Sequence, residues 1–249
     1  MSAVRGAARG LLLPGLFATI GFAILIGLGF WQLERRIWKE ELIAYVETRA
    51  RAAAVPIPAE ADWPSLNAAR DEYRVVTASG SFRHDREALI HTVVSEPRGR
   101  FSGPGYWVFT PLELANGAIV IINRGFVPAD RRSAASRRAG QVEGPVTVTG
   151  LLRMPEIPNA FTPANDPARG EWYRRDPQAI AAAFGLRRAA PFIIDADATP
   201  NLGGLPVGGE TRLSFPNNHL GYALTWFGLA AALAGVFGAF AWQRLAGER

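Results

Sequence analysis

Two long stretches of the chain contain no charged side chain, and one lies near each end. The first runs from Gly10 to Leu33, and the second lies between Arg212 and Arg244. As a helix the first stretch would be roughly 36 Å long, at about 1.5 Å per residue, which exceeds the hydrocarbon thickness of a bilayer. The apolar part of the second, from Leu220 to Trp242, also has the length of a crossing. The pattern predicts a transmembrane helix at each end.

Between these stretches the pattern changes to short apolar runs of β type separated by turn residues. The runs are Tyr73 to Ala78, Ala88 to Val94, Tyr106 to Leu112, Ala118 to Asn123 and Val146 to Leu152. Asn116 and Gly117 separate two of the runs, and both residue types tolerate the positive φ of a tight hairpin. The central part is therefore predicted to be a mainly antiparallel sheet.

Helical patterns are shorter and fewer. The first span is predicted to continue from Glu34 to Ala54 and to end before Val55-Pro56-Ile57-Pro58, because proline removes a backbone donor. Further helices are predicted at Asp130 to Ala139 and at Pro177 to Phe184, where Asp176 can cap. Additional strands are predicted at Phe192 to Ala196 and Arg212 to Phe215, and Gly203 to Gly209 is predicted to be a loop without the Lys-Ser/Thr ending of a P-loop.

The predicted fold is an α+β membrane protein with two terminal transmembrane helices flanking one mainly antiparallel-β extracytoplasmic domain with short helices. Its segments are a tail over 1–10, a transmembrane helix over 11–33, the domain with its helical extension over 34–215, the second transmembrane helix with its cap over 216–242, and a tail over 243–249.

A cleaved signal peptide is the competing interpretation of the first span, since Arg5 and Arg9 precede it. The span is longer than a usual signal sequence and has no small-x-small cleavage site before Glu34, which favours an anchor. Both flanks are basic, so charge counting leaves the orientation open, but long domains translocate largely regardless of charge. Both termini are expected in the cytoplasm of a bacterium, with the domain on the periplasmic side of the inner membrane.

Charge and cysteine content exclude several function classes. The net charge is +5, but Glu34 to Arg212 contains 23 basic and 21 acidic side chains. This near balance argues against nucleic-acid binding, which needs a basic excess on one face. The chain has no cysteine, which excludes disulfides, thiolate metal sites and covalent c-type haem attachment.

Three histidines are the candidates for general base catalysis or metal ligation: His84, His91 and His219. His84 is followed by Asp85 in a predicted turn, a pattern more typical of a solvated loop than of a catalytic dyad. No nucleophile elbow, HExxH or carboxylate cluster accompanies these histidines. The chain is predicted not to be an enzyme, and a membrane-anchored hydrolase using His84 or His91 is the weaker alternative.

His219 stands out because it lies at the outer mouth of the second span, where an ionisable residue suggests function. In a helix, His219, Tyr222 and Trp226 share one face. A neutral imidazole can ligate haem iron, and aromatic rings can pack on a porphyrin. Alternatively, Asn217 and Asn218 cap the helix, His219 forms a hydrogen bond at the interface, and the two aromatic residues belong to the interfacial belt.

Both spans are rich in small residues, which let helix backbones approach closely in lipid. The first span offers Gly15, Gly21, Gly27 and Gly29; the second offers the pairs Gly228/Ala232, Ala231/Gly235 and Ala234/Gly238. The spans are expected to pack on each other or on the helices of a partner.

Five sequence pieces, in this order, give the chain a resemblance to the SURF1 family of cytochrome c oxidase assembly factors. They are Gly29-Phe-Trp-Gln-Leu-Glu-Arg-Arg36, Gly103-Pro-Gly-Tyr-Trp-Val-Phe-Thr-Pro-Leu112, Asn123-Arg-Gly-Phe-Val-Pro128, Trp172-Tyr-Arg-Arg-Asp176 and Pro216-Asn-Asn-His-Leu-Gly-Tyr-Ala-Leu-Thr-Trp226. The family commonly has Trp at the position of Phe126, a mild departure.

The resemblance implies a role in assembling an aa3-type oxidase, at the stage where haem a reaches subunit I. It also implies that His219 and Trp226 take part in haem a binding, with His219 as the candidate ligand of the haem iron. Tyr222, which shares their helix face, is expected to support the macrocycle. Subunit I, haem a synthase and the lipid bilayer are the implied partners. A cofactor-free scaffold that stabilises an assembly intermediate is the alternative.

Overall fold

The structure is a computed structural model that describes residues 2–211, 213 and 215–246. These residues form two compact units: the two terminal parts of the chain make one, and Val46–Leu213 makes the other. The α-helices and β-strands, in chain order, are α1 Ser2–Ala50, β1 Val55–Pro56, α2 Ala68–Asp71, β2 Val75–Phe82, β3 Ala88–Val94, β4 Gly103–Leu114, β5 Ile119–Pro128, β6 Pro145–Arg153, α3 Pro177–Ala183, β7 Ala189–Ala196 and α4 His219–Ala246.

Helices α1 and α4 contain the two predicted spans. Leu11–Ala50 and His219–Ala246 are both long enough and apolar enough to cross a membrane. Helix α1 continues past Leu33 and ends at Ala50, before Val55, as the sequence predicts. The predicted strand from Arg212 to Phe215 involves two positions, 212 and 214, that lie outside the described residues, and Leu213 and Phe215 are not in a strand.

The two helices pack antiparallel through glycines of α1 and large side chains of α4. A Cβ placed on Gly29 would collide with the ring of Phe227, and Phe30 meets the same ring edge-on with 5.5 Å between centroids. Further along the helices, a Cβ on Gly21 would lie 3.2 Å from Leu233. The expected close packing of the spans is therefore present, although the small residues come mainly from α1.

The outward faces of both helices are apolar. Large hydrophobic side chains that stand exposed along them include Leu12, Leu16, Phe17, Ile20, Ile24 and Phe30 on α1 and Leu224, Leu229, Val236, Phe240 and Trp242 on α4. Continuous exposed apolar surface of this kind is typical of membrane or protein contacts.

The sheet of the second unit closes into a barrel of mixed strands. Seven strands follow the order β1-β2-β6-β7-β5-β4-β3, and β2 also pairs with β4. Closure depends on the length of β4, whose first half pairs with β3 while Leu112 to Leu114 pairs with β2. Most pairs are antiparallel, as predicted, but β5 pairs with β7 and β1 with β2 in parallel.

Strand β5 is the most deeply buried element of the barrel. Every residue from Ile119 to Val127 is buried, which explains its nearly continuous apolar run. One of its faces contributes Val120 and Ile122 to a core with Trp63 and Phe192. The other contributes to a second core that includes Phe109, Trp172 and Ile180 of α3, so β5 separates two hydrophobic cores.

One predicted helix is wrong. Asp130 to Ala139 contains two short 3-10 stretches, Ala129–Arg131 and Ala134–Gly140, and Arg137 within the second has non-helical backbone angles (φ −134°, ψ 37°). The buried Arg137 side chain pairs with Glu87, and this contact with another part of the chain takes precedence over local helix propensity. The helix at Pro177–Ala183 is confirmed, with the Asp176 carboxylate accepting from the Ala179 amide.

Candidate functional site

The first candidate site lies where α4 begins. His219 is half-buried, and its Nδ1 lies 2.7 Å from Oε1 of Gln32 on α1. An amide oxygen can only accept, so Nδ1 carries the hydrogen and the lone pair is on Nε2. Within the described chain no hydrogen bond is formed by Nε2. The imidazole is thus held in one orientation with its second nitrogen available.

The predicted stripe of three residues continues from His219 along α4. Tyr222 is exposed and Trp226 is half-buried, while Ala223 and Ala230 of the same helix are buried. The stripe therefore runs along the edge of the seam between α1 and α4. This arrangement places an imidazole and two aromatic side chains along one face of α4.

The alternative that Asn217 caps α4 finds no support in its side-chain contacts. Its Nδ2 lies 3.5 Å from the carbonyl oxygen of Arg36 on α1, and its Oδ1 is buried without a hydrogen-bond partner in the described chain. Asn218 contributes its backbone carbonyl, which accepts from the Tyr222 amide at 3.3 Å. Asn217 and His219 thus both link the start of α4 to α1.

His84 lies in a buried ionic cluster of the barrel unit and not in a solvated turn. Its Nε2 is 2.8 Å from the Val142 carbonyl, and its Nδ1 is 3.4 Å from the guanidinium of Arg124. Glu87 lies beneath, 3.7 Å from Nδ1. Both ring nitrogens are therefore occupied, which leaves the imidazole poorly placed to act as a base.

Glu87 is the centre of this ionic cluster. It accepts from Arg137 at 2.6 Å and lies 3.6 Å from Arg124, and both arginine side chains are almost fully buried. Burial alone would raise the pKa of Glu87, but the neighbouring His84 ring, the hydrogen bond from Arg137 and the charges of both arginines outweigh it and lower the pKa to about 2. Burial lowers the pKa of Arg124 to about 10, although the charge of Glu87 opposes this shift.

His91 lies elsewhere in the same unit, in the wall of a cavity of about 430 Å³. Its ring lies between those of Tyr106 and Tyr173, with centroid distances of 4.8 and 5.1 Å. The cavity also contains buried Asp195, which accepts from Arg153 at 3.1 Å. Among the described residues no group of three or more metal-ligating side chains occurs.

The sequence analysis predicts neither the ionic cluster around Glu87 nor the buried pair of Asp195 and Arg153. A signal for the cluster around Glu87 is Arg124, a charge that directly follows the predicted strand Ala118 to Asn123. Its partner Glu87 is 37 positions away, and that pairing depends on how the strands close.

Comparison with known proteins adds the family. Residues 19–231 match the model of the SURF1 family. Surfeit locus protein 1 of Mus musculus is 40% identical over 220 residues, covering 84% of this chain and 70% of that protein. Surfeit locus protein 1 of Homo sapiens is 38% identical over 217 residues, covering 83% and 70%, and the SURF1-like protein of Drosophila melanogaster is 36% identical over 243 residues, covering 92% and 76%. The resemblance found in the motifs is confirmed.

Proposed function

Since the chain belongs to the SURF1 family, we propose that it is an assembly factor for aa3-type cytochrome c oxidase, which binds haem a and assists its insertion into subunit I. It acts as a carrier and not as an enzyme, so haem a leaves chemically unchanged. Subunit I is the receiving partner, and haem a synthase is a candidate donor.

The proposal includes a location in the bacterial inner membrane. Helices α1 and α4 cross the bilayer, both termini are cytoplasmic, and the barrel unit is periplasmic. The exposed apolar side chains along both helices support insertion, because their burial in lipid removes them from water.

The observation that carries the haem proposal is the His219–Gln32 contact. Histidines that ligate metals commonly donate a hydrogen bond from their other ring N–H to a neighbouring oxygen, which fixes the ring and its tautomer. His219 has this arrangement, with Nδ1 held by Gln32 and Nε2 without a hydrogen bond in the described chain. His219 would hold bound haem through Nε2, since an imidazole nitrogen can ligate haem iron, and Tyr222 and Trp226 would pack against the macrocycle.

The decisive experiment is an absorption spectrum of the full-length protein, purified in a neutral detergent from cells that make haem a. Wild-type protein is expected to carry haem a, and His219→Ala is expected to lose it. Gln32→Leu keeps the ligand but removes its orienting oxygen, so haem affinity should fall roughly 10- to 100-fold. His91→Ala is the matched control, because its ring lies in the barrel unit.

Normal haem occupancy in a folded His219→Ala protein would overturn the ligand role. Loss of haem in His91→Ala to the same extent would also overturn it, since the effect would then not be specific to α4.

A cofactor-free scaffold remains the second candidate, and one observation favours it. The glycines of the predicted small-residue pairs of α4 face open space, since at Gly228, Gly235 and Gly238 an added Cβ would meet nothing within 4 Å. This face offers close approach to a helix of subunit I. Full restoration of oxidase assembly in a deletion strain by His219→Ala, together with failure of Gly228→Leu/Gly235→Leu, would select the scaffold.

A further inference from the structure

A second cavity of the barrel unit, of about 390 Å³, is lined by an excess of positive charge. Four arginines and one carboxylate are among its lining residues: Arg100, Arg131, Arg137, Arg138 and Asp130. Asp130 lies 3.5 Å from Arg131, and both side chains are at least half exposed. In the described part of the chain, the guanidinium groups of Arg100 and Arg138 have no carboxylate within 4.0 Å. Since Arg131 lies beside Asp130 and Arg137 pairs with Glu87, the lining carries an uncompensated charge of about two, from Arg100 and Arg138.

The buried member of this set has an unused donor. The Arg137 side chain is 1% exposed, and both of its terminal nitrogens donate hydrogen bonds to the Glu87 carboxylate. Its Nε is buried and has no hydrogen-bond partner within the described residues. A buried donor without an acceptor costs free energy, and Arg137 is one of the residues that line the cavity.

The backbone around this cavity is held in place by buried side chains. Arg124 donates to the carbonyl oxygen of Gly140 in one wall and lies 3.4 Å from the Asn201 amide oxygen. Asn201 in turn donates to the Pro206 carbonyl at 2.6 Å. A Cβ added at Gly203 would lie 2.7 Å from that of Ala139, so the two walls are in close contact. The cavity is thus already formed.

From these observations we infer that the cavity lined by Arg100, Arg137 and Arg138 binds a phosphate group. A phosphate monoester has nearly two negative charges and several acceptor oxygens, so it can accept from more than one guanidinium at once. A carboxylate offers one charge and two oxygens. The hydrogen-bond donors to the phosphate are arginine side chains. The glycines Gly140 and Gly203 form part of the cavity wall.

The size and the remaining lining residues fit a small organic phosphate or a phospholipid headgroup. Binding cavities for small molecules usually measure about 300–1,000 Å³, which includes this one. Phe101 and Leu205 add apolar surface beside the arginines. Both sources present the same phosphate chemistry, and binding does not involve His219.

The test is calorimetric titration of the full-length protein in neutral detergent with pyrophosphate and, separately, with micelles containing phosphatidylglycerol. The double variant Arg100→Gln/Arg138→Gln is expected to bind at least tenfold more weakly than wild type. Arg169→Gln/Arg187→Gln is the matched control, because it removes two exposed arginines that do not line this cavity. The control should bind like wild type, and affinity should fall as salt is added.

Pyrophosphate binding that depends on Arg100 and Arg138 identifies a soluble phosphate, whereas binding of phosphatidylglycerol alone, with phosphatidylcholine inert, identifies a headgroup. Absence of both, or equal weakening in the control pair, overturns the inference. The substituted side chains are exposed, and the haem spectrum of the double variant should remain that of wild type, which separates this site from the one proposed on α4.

Discussion

The helix pair and the barrel unit differ in where their polar side chains lie and in how fully those side chains are paired. The described side-chain hydrogen bonds that join α1 to α4 lie at one end of the pair and come from Asn217 and His219. The outward faces of both helices are apolar. The barrel unit instead buries whole ionic clusters, in which Glu87 contacts two arginines. A charge inside the barrel is stable only with its partners present, whereas a polar residue at the helix pair can keep one side available. The barrel's buried charges are thus expected to support folding, and His219 to support binding.

The largest expected effect tests the barrel side of this comparison. Glu87→Gln keeps the shape but leaves Arg124 and Arg137 without their counter-charge, so unfolding free energy should fall by roughly 3–5 kcal/mol. Chemical denaturation followed by tryptophan fluorescence measures it. The control is Glu113→Gln, whose pair with Arg83 is about 40% exposed on each side and should contribute at most about 1 kcal/mol.

The comparison fails if Gln32→Leu on α1 destabilises the protein as much as Glu87→Gln does. That result would mean that the His219 contact supports folding in the same way as the barrel's buried charges.

The next effect concerns pH. The Glu87 pKa is about 2 in the folded protein against an ordinary value of 4.5, so folding favours the ionised carboxylate. The resulting stabilisation, roughly 3 kcal/mol, is complete above about pH 5 and is lost as pH falls from about 4.5 toward 2. Denaturation at successive pH values should show this loss in wild type, and Glu87→Gln should lack it. A variant that lost stability as steeply as wild type would rule out Glu87 as the cause.

The smallest effect tests the seam of the helix pair. Gly29→Ala adds a methyl group against the Phe227 ring, whereas Gly27→Ala adds one where nothing lies within 4 Å. Both changes raise helix propensity equally, so the difference between them isolates overpacking, which costs about 1–3 kcal/mol. Titration with a denaturing detergent measures it. Equal stability of the two variants would contradict the packing at Gly29.

The sequence predicts the helices and most strands because their signals are local. Charge-free length marks α1 and α4, and the predicted run Ala88 to Val94 has the bounds of β3. The parallel pairing of β5 with β7 joins segments about 70 positions apart, and no local pattern specifies such a contact. The helix predicted around Arg137 was wrong for a related reason, because the Arg137 side chain pairs with Glu87, which lies 50 positions earlier in the chain.

The same distinction applies to the candidate sites. Helical spacing places His219, Tyr222 and Trp226 on one face, because that depends on α4 alone. The oxygen that fixes the His219 tautomer belongs to Gln32, 187 positions earlier, and could not be assigned without the packed helices. The arginine-lined cavity is formed by Arg100 and Arg138, which come from different loops. Because basic and acidic side chains are nearly balanced across the whole domain, its net charge gives no sign of this local excess of arginine.

The ring of strands has a consequence for biosynthesis. Strand β7 is the last of the barrel strands to emerge from the ribosome, and it bridges β5 and β6. Until Ala189 to Ala196 have been made, both of those strands present an unpaired edge, and such edges invite pairing with other chains. A chain that stops before β7 would therefore be expected to aggregate, and nearly the whole domain has to be translated before the barrel can close.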